Sequence, residues 1–116
     1  MTNKIQLFKP FVTSDEENII KKVIKSHFWA SGSGMGYVKK FENNLNKFTK
    51  SNTCVGVNSG TAALNLALSL FNLKNKEVIL PSLTFVSTAH AVVLNGAKPK
   101  FVDVDPYTLC IDEKQI

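Results

Sequence analysis

The chain has no arginine. All fourteen of its basic residues are lysine, spread over 116 residues. A nucleic-acid reader relies on arginine forks at base edges, or on clustered charge interleaved with aromatics, and neither pattern is present. The net charge of +5 is therefore read as lysines solvating helix faces, with no nucleic-acid partner. Cysteine is also sparse. Cys54 and Cys110 stand alone in apolar surroundings without C-x-x-C spacing, which supports neither a metal site nor a disulfide framework; both are expected as reduced core residues. No apolar run reaches the length of a transmembrane helix, and the N-terminus lacks the apolar stretch of a signal peptide. The expectation is a soluble cytoplasmic protein with no membrane partner. His27 and His90 have no constellation of partners around them and are assigned to the surface or to helix packing.

What is present is apolar content of 44%, enough to bury a core in one domain of modest size. The stretch that organises it is Asn58-Ser59-Gly60-Thr61-Ala62-Ala63-Leu64-Asn65-Leu66-Ala67-Leu68, preceded by the short apolar run Cys54-Val55-Gly56-Val57. Together these read as a buried strand, a small polar turn and an apolar helix opening at Gly60 or Thr61. The first helical N–H groups have no partner inside the helix and the macrodipole is positive there, so the turn can hold a phosphate by main chain alone.

Upstream, Ser14-Asp15-Glu16-Glu17 has the S-x-x-E form of a capping box. Ile19, Ile20, Val23 and Ile24 then recur at helical spacing. The segment Phe28 to Gly36 carries three glycines at alternate positions beside Trp29, but it follows a helix and lacks G-x-G-x-x-G spacing, so it is no dinucleotide fingerprint. A plain connection and a substrate- or partner-facing loop both remain open for it. Tyr37 to Thr49 again shows helical spacing through Val38, Phe41, Leu45 and Phe48.

Downstream, the helix at residues 60–71 is apolar nearly all round and is expected to be buried. Glu77 to Leu80 reads as a strand ended by Pro81, Phe85 to Leu94 as a helix stopped by Asn95-Gly96, and Lys100 to Val104 as a strand closed by Asp105-Pro106. Asp112 reads as a helix cap, with Glu113 in the first turn. Strand, helix, strand, helix, strand implies a parallel sheet with helices over it, and ligands bind beyond the carboxyl ends of such strands. Two segments meet there: Asn58 to Ala62, and Pro81 to Phe85 with Ser82, Thr84 and the Phe85 ring. A phosphate attached to a flat ring suits both.

Three motifs, in order and at matching spacing, carry a family resemblance. Asn-Ser-Gly-Thr-Ala-Ala-Leu-x-Leu-Ala-Leu at 58–68, Glu-Val-Ile-Leu-Pro-Ser-Leu-Thr-Phe-Val-Ser-Thr at 77–88 and Asn-Gly-Ala-Lys-Pro-x-Phe-Val-Asp-Val-Asp at 95–105 resemble the DegT/StrS group of pyridoxal-phosphate (PLP) sugar aminotransferases. The capped first helix, the Gly-rich turn and the Phe41-Glu42 helix are also similar to that group. The resemblance implies an α/β fold, the N-terminal portion of the large domain of the fold type I (aspartate aminotransferase-like) PLP-dependent transferases. Residues 1–53 would form an N-terminal helical segment and 54–116 the start of the PLP-binding domain, together a single incomplete domain.

The function so implied is amination of a keto group on a nucleotide-linked sugar, with glutamate as amino donor and a homodimer as the active form. By motif match, Thr61 and Ala62 would hold the PLP phosphate, Gly60 would shape the turn and Phe85 would stack on the ring; without the match, a helix cap and a core aromatic would be the simpler readings. The group's lysine that bonds the cofactor, and its aspartate at the pyridine nitrogen, match no residue here. The chain is accordingly expected to be an N-terminal fragment, inactive alone and unable to fold cooperatively. A related sugar dehydratase, in which histidine replaces that lysine, and an inactive truncated product are the alternatives. A nicotinamide-binding protein is disfavoured because the first strand–helix turn lacks G-x-G-x-x-G and no acidic residue ends the second strand.

Overall fold

The computed structural model describes residues 4–6, 8–28 and 36–116. Trp29 and most of the Gly-rich connection lie outside the described residues. The chain divides into two compact units, Met1–Gly56 and Val57–Ile116.

The first unit holds two amphipathic helices, α1 (Ser14–Ser26) and α2 (Tyr37–Thr49). The capping box of α1 sits one residue earlier than expected: Thr13 is the N-cap, its hydroxyl accepting from the Asp15 N–H at 3.2 Å while its own N–H donates to Glu16 Oε2 at 2.6 Å. Thr13-x-x-Glu16 and Ser14-x-x-Glu17 overlap in the sequence. Starting at Thr13 places Asp15, Glu16 and Glu17 all in the first turn, where the dipole favours them. The Thr13 hydroxyl, then the Thr13 N–H, hold the Glu16 carboxyl below its usual range. A depressed carboxylate stabilises the fold above the ordinary carboxylate range, and that contribution is lost as pH falls through the folded value. Helicity of α1 followed by circular dichroism should therefore decline on acidification, and Glu16→Gln should flatten that decline.

In α2, Glu42 accepts the Gly56 N–H at 2.8 Å and pairs with Lys39 at 3.6 Å. A Cβ on Gly56 would stand 3.3 Å from Val38 Cγ1, so only glycine fits against the helix here without a shift. The run Cys54 to Val57 is not a strand: it pairs with no other segment among the described residues, and Val55 and Val57 are exposed. A strand exists only with a ladder partner, and apolar content by itself supplies none.

The second unit contains α3 (Gly60–Ser69), β1 (Glu77–Pro81), α4 (Val86–Leu94), β2 (Lys98–Val102) and a closing 3-10 turn, Glu113–Gln115. β1 and β2 pair in parallel, Glu77 opposite Lys98 through Pro81 opposite Val102, as a strand–helix–strand unit should. β2 lies two residues earlier than the expected Lys100 to Val104, with Pro99 accommodated in a two-stranded sheet where each strand has a free edge. Gly96, at φ +78°, makes the turn after α4. The core is Leu80, Ala91, Val92, Ala97 and Val102.

Contrary to the reading of a buried helix, α3 buries no residue, and Leu64, Leu66, Leu70 and Phe71 are exposed. Cys110 is exposed rather than in the core, and Cys54 is half-buried; both thiols are free. After β2 the chain turns back through an isolated antiparallel bridge between Val104 and Ile111. Asp105 closes that turn by accepting the N–H groups of Thr108 at 2.8 Å and Tyr107 at 2.9 Å, which lowers its carboxyl from the ordinary value. Asp112 caps the 3-10 turn through the Lys114 N–H, as expected, although the element is 3-10 rather than α.

Candidate functional site

Ser59 sets up the α3 N-terminus. It is extended, at φ −162° and ψ 158°, its carbonyl accepts the Ala63 N–H at 3.0 Å, and its hydroxyl accepts the Ala62 N–H at 3.1 Å. The Gly60 and Thr61 N–H groups have no acceptor among the described residues. Two main-chain donors at the positive end of a helix are thus open. Ser59→Ala should cost about 1 kcal/mol of stability by loss of the cap, measurable by denaturant unfolding. Inorganic phosphate should lessen that deficit, because it can take the Ala62 N–H that the hydroxyl vacates.

Phe85 occupies the N-cap position of α4 at φ −74°, ψ 142°, and its ring is 76% exposed. Its carbonyl accepts the Thr88 N–H at 3.0 Å, while the Thr84 and Thr88 hydroxyls lie 3.0 Å apart. Between the two helix starts runs an open groove of about 690 Å³ lined by Gly60, Thr61, Ala63, Leu64, Ala67, Phe85, Ser87 and Thr88. Its wall is largely apolar, with no charged side chain. A Cβ added to Gly60 would meet nothing within 4 Å, so the space over this residue is free for a ligand.

The structure thus brings Gly60, Thr61 and Phe85 onto one groove. Ala62 does not line it, and its N–H is engaged by Ser59. Nor do Ser82 and Thr84 line it: Ser82 Oγ points to Asp103 Oδ1 at 3.4 Å, and Thr84 meets Thr88. Ala63, Leu64 and Ala67 are additional wall residues. Their signal was in the sequence, since positions 60, 63, 64 and 67 form one helical stripe. Ser87 and Thr88 were detectable only as hydroxyls in the turn that follows Phe85.

The model of the DegT/DnrJ/EryC1/StrS aminotransferase family matches residues 10–116. The chain belongs to that family. Among DegT/DnrJ/EryC1/StrS relatives, it is 34% identical over 105 residues to GDP-perosamine synthase of Escherichia coli O157:H7, covering 90% of this chain and 28% of that protein. A Streptococcus pneumoniae protein named as a sugar aminotransferase, solved in its PLP form, superposes with TM-score 0.81 at 28% identity, covering 97% of this chain and 29% of that one. GDP-4-keto-6-deoxymannose-3-dehydratase, solved with a trapped PLP–glutamate adduct, gives TM-score 0.82 at 28% identity over 94% of this chain and 29% of that one. The chain therefore spans less than a third of the length of these relatives. Its fold is that of the N-terminal part of the fold type I PLP-dependent enzymes, and the family is one of PLP-dependent sugar-modifying enzymes.

Proposed function

We propose that the protein carrying this chain is a PLP-dependent aminotransferase that aminates a keto group of a nucleotide-linked sugar, with glutamate as amino donor. It would act in the cytoplasm as a homodimer, in the synthesis of cell-surface polysaccharide. The observation that carries the reading is the groove in which two open N–H groups, at Gly60 and Thr61, share a wall with the exposed ring of Phe85. That arrangement fits a phosphate-bearing aromatic ring: the anion lies at the helix N-terminus and the ring lies on Phe85. Thr61 would donate to the phosphate, Gly60 would donate and leave room for it, and Ala62 would join them where the phosphate displaces the Ser59 hydroxyl. The apolar stripe of Ala63, Leu64 and Ala67 would exclude water from one side.

When bound, PLP supplies an electron sink at the substrate carbon. None of the lysines of this chain lines the groove, so its residues are assigned to binding and orientation. Equilibrium dialysis of the protein against PLP tests the reading. Saturable binding that inorganic phosphate competes away is expected; no saturable binding would sink it.

The second reading, a sugar dehydratase, is favoured by the superposition on GDP-4-keto-6-deoxymannose-3-dehydratase. Product analysis separates the two. Glutamate-dependent formation of an amino sugar supports amination, and loss of water from the sugar without net amination supports dehydration.

A further inference from the structure

One pair of side-chain amides joins the two walls of the groove. Asn95, which ends α4, donates through Nδ2 to Asn65 Oδ1 at 2.8 Å and lies 3.3 Å from the Asn65 carbonyl oxygen, while also reaching the Ala91 carbonyl of its own helix at 2.8 Å. Every atom facing this nitrogen is an acceptor, which fits an NH₂ group there and would not fit an oxygen. Asn65 lies one turn beyond Thr61 on α3, and Asn95 lies two turns beyond Thr88 on α4, so each is in line with a groove residue of its own helix. No other side-chain hydrogen bond links α3 to α4 among the described residues.

α3 and α4 also pack against each other, and apolar contact is non-directional. Alone, it lets one helix slide along the other. A hydrogen-bonded clasp allows one setting.

We propose that Asn95 is a positioning residue for the groove: its clasp on Asn65 fixes the span between the α3 donors at Gly60 and Thr61 and the Phe85 ring on α4, and so favours a ligand whose phosphate and ring are that far apart. This rests on the reading of the groove as a PLP site. A ligand that uses only one wall is indifferent to the clasp, whereas a ligand that bridges both walls depends on it.

The test measures PLP and inorganic phosphate separately on the protein carrying this chain. Asn95→Asp sets a carboxylate against three acceptors and should weaken PLP about tenfold, the penalty of an unmade hydrogen bond. Inorganic phosphate, held by α3 alone, should keep its affinity. Asn65→Leu should give the same split by a different route, and Asn65→Asp, which retains an oxygen opposite Nδ2, should recover most of the PLP affinity. Parallel weakening of both ligands, or unchanged PLP affinity in folded variants, would overturn the clasp while leaving the PLP site standing. Failure of the unaltered protein to bind PLP would overturn both, and that result is in hand before any variant is made.

Discussion

Gly60→Pro is expected to weaken PLP binding by roughly one to two orders of magnitude, the value of one hydrogen bond to a charged group, without unfolding α3. The separation of the two effects follows from position. Gly60 is the first residue of the helix, where the missing N–H of proline takes no bond from the helical ladder and its fixed φ suits the first turn. Ser59 before it is extended, the conformation that a residue preceding proline favours. The substitution therefore deletes one of the two open donors and fills part of the free space over the helix start, while the Ser59–Ala62 cap stays in place. Dialysis gives the affinity and circular dichroism the helicity. Unchanged affinity with intact helicity would remove the α3 N-terminus from the binding site.

Leu80→Ala should have the largest effect on stability, a loss of about 2–5 kcal/mol from the removed burial and the cavity left behind. Leu80 is 4% exposed and shares its core with only a few small residues, Ala91, Val92, Ala97 and Val102. None of these four has a side chain larger than valine and two are alanine, so the neighbours have little volume with which to close the gap. Ile79, adjacent on β1 but 44% exposed, provides the control: Ile79→Thr should stay within about 1 kcal/mol. Urea unfolding of the protein carrying this chain reads both.

The helices were legible because their information is local. Apolar spacing and acid placement gave α1 and the whole span of α2, while Asn95-Gly96 marked the end of α4. Even the one-residue shift of the α1 cap is a choice between two overlapping signals of the same kind. The strands divided on whether a partner is present. Glu77 to Pro81 and Lys98 to Val102 are joined by a helix of suitable length and pair in parallel, whereas Cys54 to Val57 has equal apolar character and no ladder. Burial failed for the same reason. The composition of α3 says what that helix is able to bury, and the exposure of Leu64, Leu66, Leu70 and Phe71 says that nothing in this unit covers it.

For the groove, the sequence was informative about the donors and the ring and less so about the competition between them. That the helix beginning at Gly60 would present open N–H groups follows from helix geometry alone. That Ser59 would claim the Ala62 N–H requires its side-chain rotamer. The Asn65–Asn95 link, between residues thirty positions apart, requires the packing of α3 on α4 and has no local signature.

Whether the α3 N-terminus and Phe85 form the phosphate and ring halves of one PLP site is read by titrating PLP into ¹⁵N,¹³C-labelled protein and following the backbone amide and aromatic ring resonances together. The Gly60 and Thr61 amides are expected to move together with saturation, the Phe85 ring protons to shift by ring-current effects in the same titration, and inorganic phosphate to move the two amides without the ring. Saturable PLP binding that leaves Gly60, Thr61 and Phe85 unmoved would contradict a shared site.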